Sequence, residues 1–278
     1  MRIFDVLSKA KNDKKLLEAE LLLAYILGKG KEWVIAHSDD DVSVDDMKKF
    51  HDLWIRLAAG EPLAYIVGCK EFYGLNFLVD NRVLIPRPET EFLVEEVLRL
   101  SRLDRFASKK SVQVVDVGTG CGAVACSLAK SSDVLAVCAV DVSQDACDVA
   151  LKNASNLGCK IDVICGDLLG PVKDRSFDII VANLPYIGIE KFDFVADDVA
   201  KYEPDVALYG GSDGLRLYER MFAQILEYGM APRYILGEFG FLQAEALREL
   251  VIRFFPNSNL EIKQDLSGLD RNFIITSL

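Results

Sequence analysis

From Val112 onward the chain is built on near-continuous apolar runs: VQVVDV, VLAVCAV, IDVIC, FDIIVA and YILGEF. A strand is apolar at almost every position only when both of its faces are covered, as in parallel sheets carrying helices on each side. Helical segments at 122–131, 143–157 and 213–230 separate several of these runs. Strand alternating with helix predicts a doubly wound, Rossmann-like α/β fold. The end of the chain departs from this rhythm. Leu260 to Asp265 and Arg271 to Ser277 are strand-like and are separated only by Leu266-Ser267-Gly268-Leu269. So short a turn joins antiparallel strands. The prediction is a mostly parallel sheet with an antiparallel C-terminal hairpin.

Upstream the pattern is helical. Residues 1–68 carry apolar stripes at helical spacing, such as Met47, Phe50, Leu53, Trp54 and Leu57, with Ser43 as N-cap and Gly28 as C-cap of neighbouring segments. A small helical bundle is expected, its aromatic stripe serving as core. Residues 69–88 change character. Glu71 to Asp80 reads as a short hairpin split by Gly74-Leu75-Asn76. Val83 to Glu89 follows, where Pro86 and Pro88 enforce an extended segment. This stretch reads as a joint, with a helix from about Glu89 to Leu103 opening a second domain over 89–278.

The formal net charge of −11 over 278 residues disfavours generic nucleic-acid binding, which draws on Lys and Arg for phosphate contacts. No apolar run reaches the ~20 residues needed to span a bilayer, and Met1 to Ala10 lacks the apolar core of a signal peptide. The seven cysteines are scattered without a C-x-x-C pair, and only His37 and His51 offer imidazoles. Reduced thiols in a cytoplasmic chain without a metal site are expected.

Asp116-Val117-Gly118-Thr119-Gly120-Cys121-Gly122 closes the first strand and opens a helix. Glycines let backbone turn sharply and approach a ligand without Cβ clashes, and the helix N-terminus beyond offers free N–H groups. Asp141 ends the next strand, where a carboxylate can accept hydrogen bonds from both ribose hydroxyls. Gly118, Gly120 and Ala123 also satisfy the dinucleotide fingerprint G-x-G-x-x-G/A, so the turn specifies an adenosine cofactor without saying which. A P-loop is excluded because no Gly-Lys-Ser/Thr follows. The third strand ends at Gly166-Asp167-Leu168. There Asp167 can meet an adenine amino group and Leu168 can pack on the ring, the alternative being a helix or turn cap.

The fourth strand delivers Asn183-Leu184-Pro185-Tyr186 at its C-terminal end, the end beside the ligand crevice of such sheets. The tetrapeptide suits methyl transfer from a sulfonium, an in-line displacement that needs a nitrogen lone pair aimed at the methyl carbon. The Asn183 side-chain oxygen can accept one N–H and the Leu184 carbonyl the second. Pro185 fixes φ, and Tyr186 offers a flat apolar face to a planar amide or base. Positioning supplies most of the rate in this scheme. A Pro-containing turn with a surface Tyr is the plain alternative.

By these features the chain resembles the HemK-type release-factor glutamine methyltransferases, a branch of the class-I S-adenosylmethionine-dependent methyltransferases. The narrower motifs are Gly60-Glu61-Pro62-Leu63-Ala64-Tyr65-Ile66, Glu71-Phe72-Tyr73-Gly74, Ile85-Pro86-Arg87-Pro88-Glu89-Thr90-Glu91, Glu203-Pro204 and Gly210-Gly211-Ser212-Asp213-Gly214-Leu215. The resemblance implies a helical domain that binds the release factor, a hairpin joint and a methyltransferase domain. It also implies S-adenosylmethionine as cofactor, held by Gly118, Thr119, Gly120, Cys121, Gly122, Asp141, Asp167, Leu168 and Asn183. The glutamine amide would be clamped by Asn183, Leu184, Pro185 and Tyr186, and Asn183, Pro185 and Tyr186 would serve catalysis. Two positions depart from the family pattern: Leu184 stands where Pro is usual, and Cys121 where Ser or Ala is usual. Asn-Leu-Pro-Tyr is also the form found in rRNA adenine dimethyltransferases, so N6-adenine methylation of RNA or DNA is the competing activity. A binding module that has lost catalysis is the competing non-enzyme. Residues 187–201 are expected to form a loop over the substrate or a solvated connector.

Overall fold

Where apolar residues in the first part of the chain recur at helical spacing, helices form. The computed structural model describes residues 1–12, 15–103, 106, 109–188 and 197–276, and it divides into two units, Met1–Cys69 and Lys70–Leu278. The first unit holds α1 (Ile3–Asn12), α2 (Leu16–Leu27), α3 (Lys31–Ala36), α4 (Val44–Ala58) and α5 (Leu63–Val67). Ser43 caps α4 by accepting a hydrogen bond from the Asp46 N–H at 3.1 Å, which satisfies a donor that the helix itself cannot. Gly28 ends α2 at φ 62°, in the left-handed region. Ile3, Leu22, Leu23, Val34, Phe50 and Ile66 close the core of this unit, and Trp54 stacks on Phe50. The aromatic stripe of α4 is thus core.

After the helices comes a hairpin of β1 (Cys69–Phe72) and β2 (Leu75–Leu78), all but its first residue in the second unit. Its tip, Tyr73-Gly74, has φ of 53° and 72°, the doubly left-handed geometry that matches the twist of a two-residue hairpin. The two prolines hold the following segment extended. One 3-10 turn at Pro88–Thr90 leads into α6 (Glu91–Ser101), a shorter helix than the 89–103 expected.

The sheet comprises β3 (Val112–Val117), β4 (Leu135–Asp141), β5 (Asp162–Cys165), β6 (Ile179–Ala182), β7 (Tyr234–Glu238), β8 (Asn259–Gln264) and β9 (Asp270–Thr276). Helices α7 (Ala123–Ser131), α8 (Gln144–Leu157), α9 (Asp197–Tyr202), α10 (Asp205–Leu208), α11 (Arg216–Glu227) and α12 (Ala244–Phe254) intervene. Strand order is β5-β4-β3-β6-β7-β9-β8. Strands β3 to β7 pair in parallel, whereas β9 runs antiparallel to both β7 and β8. The predicted C-terminal hairpin is present, with its second strand inside the sheet and its first strand on the edge.

Two details differ from the sequence pattern. Strand β5 is the opposite edge, and its Asp162 and Cys165 are exposed, so its apolar run is not buried on both faces. Helix α12, unassigned from sequence, packs Leu247, Leu250 and Val251 inward. The core under the sheet gathers Val117, Val140, Ile180, Phe222, Ile235 and Phe273. The order reverses between β3 and β6, where Val117 pairs with Ala182. That pairing sets the turn after β3 beside the segment after β6, at the switch point where open α/β sheets bind ligands.

Candidate active site

The glycine turn is held from behind. Gly118 N–H and Thr119 N–H donate to the Val140 carbonyl at 2.8 and 3.0 Å. Buried Asp116 accepts from Thr119 Oγ1 at 2.6 Å and from Ala125 N–H at 3.2 Å, and burial pushes its carboxyl up to about 7. Gly118, Gly120 and Gly122 all have positive φ, which L side chains adopt at a cost. A Cβ on Gly122 would lie 3.2 Å from the Ala150 Cβ of α8, whereas one on Gly120 would meet nothing within 4 Å. The space in front of the turn is open, and the space behind it is packed.

That open space is a cavity of about 310 Å³ at the C-terminal ends of β3, β4 and β6. Gly118, Gly120, Asp141, Asp167, Leu168, Asn183, Leu184 and Pro185 line it. Thr119, Cys121 and Gly122 do not: Thr119 is spent on Asp116, Gly122 backs onto α8, and the Cys121 thiol is buried, which pushes it up to about 12. Such a thiol is inert, because the thiolate is the reactive form.

Asp141 accepts from Gly120 N–H at 2.8 Å through one oxygen and from Ser143 N–H at 2.9 Å through the other. Each oxygen keeps a lone pair. Burial raises its pKa, and these backbone donors oppose the shift. Asp167 is ion-paired with Arg220 of α11, a partner not foreseen from sequence. Leu168 is a non-glycine residue at φ 50° and buried, so the chain accepts backbone strain to turn this side chain toward the cavity.

The tetrapeptide after β6 is fixed by a carboxylate that sequence reasoning missed. Glu238, the last residue of β7, is 1% exposed. One of its oxygens accepts from Thr90 Oγ1 at 2.7 Å and from Asn183 Nδ2 at 3.1 Å, and the other accepts from the Tyr186 hydroxyl at 2.8 Å. Asn183 Nδ2 also donates to Thr90 Oγ1 at 3.0 Å. Burial raises the Glu238 pKa, with the Thr90 and Tyr186 hydrogen bonds opposing it. Burial and the adjoining carboxylate raise that of Tyr186, which stays a neutral phenol. Tyr186, Asn183, Arg87 and Glu238 line a second, smaller cavity of about 90 Å³ that also meets Leu184 and Pro185.

The glycine-rich segment 210–215 explains itself here. A Cβ on Gly210 would fall 2.2 Å from the Pro185 carbonyl oxygen, and one on Gly214 would fall 2.0 Å from that of Tyr186. Buried Gln243 donates to the Tyr186 carbonyl at 2.7 Å and to the Asp213 carbonyl at 2.9 Å. Arg87 pairs with Glu203 at 2.5 Å, and Ile85 N–H donates to the same carboxylate at 3.2 Å. Glu91 accepts from Tyr73 N–H at 2.9 Å. Arg87 therefore ties the proline segment to the loop before α10, and Glu91, the first residue of α6, ties the helix start to the hairpin. Residues 189–196, the centre of the expected covering loop, lie outside the described residues.

The strand order, the glycine turn and the acid at the end of β4 define a class-I S-adenosylmethionine-dependent methyltransferase. Solved structures share this fold: a human methyltransferase 10 domain containing protein (TM-score 0.51, 20% identity, 82% of this chain and 99% of that one) and a methyltransferase from Pyrococcus furiosus (TM-score 0.51, 14%, 81% and 97%). The N-terminal domain of human METTL16, determined in complex with SAH, has a TM-score of 0.50 at 18% identity over 73% of this chain and 76% of that one. Residues 2–68 match the PrmC N-terminal domain model and residues 97–200 the methyltransferase small domain model. The chain is 37% identical to the release factor glutamine methyltransferase of Bacillus subtilis over 91% of its length and 88% of that protein's, and 34% identical to that of Enterococcus faecalis over 97% of each. The chain belongs to the release factor glutamine methyltransferase family.

Proposed function

We propose that the chain methylates the side-chain amide nitrogen (N5) of the glutamine in the Gly-Gly-Gln loop of class-I peptide chain release factors, acting in the cytoplasm on translation termination. The names of its relatives support the substrate. The orientation of Asn183 supports the chemistry and carries the proposal. Its Nδ2 is committed to Thr90 and Glu238, which leaves Oδ1 as the end of the amide available to a substrate N–H.

The lining of the larger cavity fits S-adenosylmethionine: open space before Gly120, a carboxylate with spare lone pairs at Asp141, and the apolar Leu168. When bound, that cofactor supplies an electrophilic methyl group on a cationic sulfur. Asp141 would take the ribose hydroxyls, and Gly118 and Gly120 would let the backbone approach the ligand. Leu168 would pack on the adenine, and Asp167 would reach its amino group while remaining tied to Arg220. Thr119, Cys121 and Gly122 act from behind by shaping the turn.

Asn183 Oδ1 accepts one amide N–H of the glutamine and the Leu184 carbonyl accepts the other, so the nitrogen lone pair faces the methyl donor. Holding the reactants in line supplies most of the acceleration. Pro185 stiffens the backbone, and the Tyr186 ring covers the amide plane. Leu184, where relatives usually carry Pro, is 2% exposed, and its Cδ2 lies 3.1 Å from where a Gly118 Cβ would be. Its buried side chain thus restrains the backbone that a second proline would otherwise fix. Residues 1–68 are assigned to release-factor binding, 69–88 to the joint and 89–278 to catalysis.

The experiment is methyl transfer from labelled S-adenosylmethionine to an unmethylated release factor, beside a Gln→Ala version of its loop and an RNA control. One methyl gained on the factor, and lost with the Gln or with Asn183→Ala, is the expected result. Label on RNA would assign N6-adenine methylation instead.

A further inference from the structure

We infer that Glu238, assisted by Thr90, is a positioning residue that sets the polarity of the site: it decides which end of the Asn183 amide faces the substrate, and so makes the site select an amide over a carboxylate. The inference rests on the proposed methylation of a glutamine side chain and assigns the group that controls its specificity.

The side-chain amide of Asn183 is close to symmetric in shape, and nothing in its own covalent structure chooses between its two orientations. Its neighbours make the choice. The Thr90 hydroxyl proton is committed to Glu238 at 2.7 Å, so the Thr90 oxygen can only accept from Asn183, and a carboxylate oxygen can only accept. Both therefore take N–H donors from Asn183, at 3.0 and 3.1 Å. The reversed amide would press Oδ1 against two oxygens that have no proton to offer, in a buried place where an unmet acceptor is costly.

Glu238 is itself held firmly. Its carbonyl accepts from the buried Tyr218 hydroxyl at 2.6 Å, and a Cβ on the preceding Gly237 would lie 2.6 Å from the Phe273 ring. The carboxylate cannot drift from its three donors without moving β7. Those donors come from the 3-10 turn before α6 and from the two ends of the tetrapeptide. One side chain thus fixes both the hydrogen-bonding end of the clamp, through Asn183, and its flat face, through the Tyr186 hydroxyl.

The consequence for recognition is one of sign. A glutamine amide presents two N–H donors to the clamp and needs acceptors. With Asn183 Oδ1 forward the clamp is all acceptor. With Asn183 reversed it offers N–H groups, which favour a carboxylate, the group a glutamate would bring to the same position.

The test compares wild type, Glu238→Met, Glu238→Gln and Thr90→Val. For each, kcat and KM are measured with an unmethylated release factor, together with inhibition by the same factor carrying Gln→Glu in its loop. Affinity for S-adenosylhomocysteine and thermal melting report folding. Wild type methylating the factor is the precondition: if it does not, the proposed function fails, independently of Glu238. Given that activity, Glu238→Met is expected to lower kcat by about 100-fold, the usual effect of a misplaced reacting group, with S-adenosylhomocysteine affinity retained. Its preference for the Gln over the Glu form should fall by about 10-fold or more, the loss of one such hydrogen-bond choice. Glu238→Gln can still accept from Asn183 through its amide oxygen and is expected to keep the preference. Thr90→Val removes one of the two acceptors and is expected to fall between wild type and Glu238→Met, and it carries the test if Glu238→Met does not fold. A folded Glu238→Met with wild-type preference for Gln would overturn the inference. So would equal loss of preference in Glu238→Gln, which would mean that charge rather than acceptor geometry is what matters.

Discussion

Replacing Gly214 by alanine tests whether the glycine-rich segment shapes the clamp. The new Cβ would lie 2.0 Å from the Tyr186 carbonyl oxygen and 2.3 Å from Gln243 Nε2, at a backbone φ of 81°. Two costs add. The left-handed conformation costs an L residue about 1–2 kcal/mol, and forcing an extra carbon into packed surroundings costs about 1–3 kcal/mol. A loss of roughly 2–5 kcal/mol corresponds to a fall in Tm of roughly 4–20 °C for a unit of this size. The activity effect has a different origin. Neither oxygen nor amide can stay where it is, so Tyr186 and its neighbour Pro185 must move, and a shift of about 1 Å in a positioning segment costs about 100-fold in kcat. Gly158→Ala is the control. Its φ is 62°, yet an added Cβ meets nothing within 4 Å, so only the conformational cost of about 1–2 kcal/mol applies and kcat should not change. Calorimetry and methyl-transfer kinetics on both variants read the two effects separately. A Gly214→Ala protein with wild-type kcat, or the two variants alike in both readouts, would refute the reasoning.

Other expectations concern single groups. Tyr186→Phe keeps the ring but takes a donor from buried Glu238; a loss of about 1–3 kcal/mol is expected in urea unfolding, together with lower kcat. Arg87→Ala leaves Glu203 with the Ile85 N–H as its named donor. Breaking a fully buried pair costs about 3–5 kcal/mol, and with the Arg87 side chain 35% exposed and Glu203 at 1% an effect near ~2 kcal/mol is expected after allowing for solvent screening. Asp116 has a folded pKa raised from 3.8 to about 7. A raised acid stabilises the fold fully below its unfolded pKa and loses that contribution as pH climbs through the folded one. Stability should therefore drop by about 4 kcal/mol between pH 4 and pH 7 from this group. Asp116→Asn should flatten that slope when unfolding is followed across the interval.

Much of the fold was legible because its causes are local. A strand covered on both faces must be apolar throughout, so β3, β4, β6 and β7 announce themselves, and the sharp turns of the Gly118 segment need glycine. Asn183 to Tyr186 stood out because the proposed chemistry needs those residue types in sequence. The strand order was not legible: nothing in Arg271 to Thr276 says that β9 inserts between β7 and β8. Strand β5 has the composition of an interior strand but lies on an edge. Glu238 passed as one residue of the run YILGEF, although an acid at the end of an otherwise apolar strand is the signal that could have marked it. Its meaning depends on Thr90, 148 residues away, and on Asn183, 55 residues away. Such pairings leave no periodic trace. Gly210 and Gly214 were visible as a motif, but the carbonyls that require them to be glycine come from the tetrapeptide.

The place of β9 in the sheet has a bearing on the order of assembly. Strand β7 has β6 on one side and β9 on the other, and β9 follows every other strand in the chain. Until it arrives, β7 has a bare edge, and β8 has no strand to lie against. Closing this gap pairs Tyr234 with Thr276, a non-local contact of the kind that slows folding. Glu238, which ends β7 and pairs across to Asn272, therefore has its backbone position set in part by the last strand of the sheet. The strands flanking the glycine turn pair without β9, through Val117 and Val140, whereas the position of Glu238 depends on it.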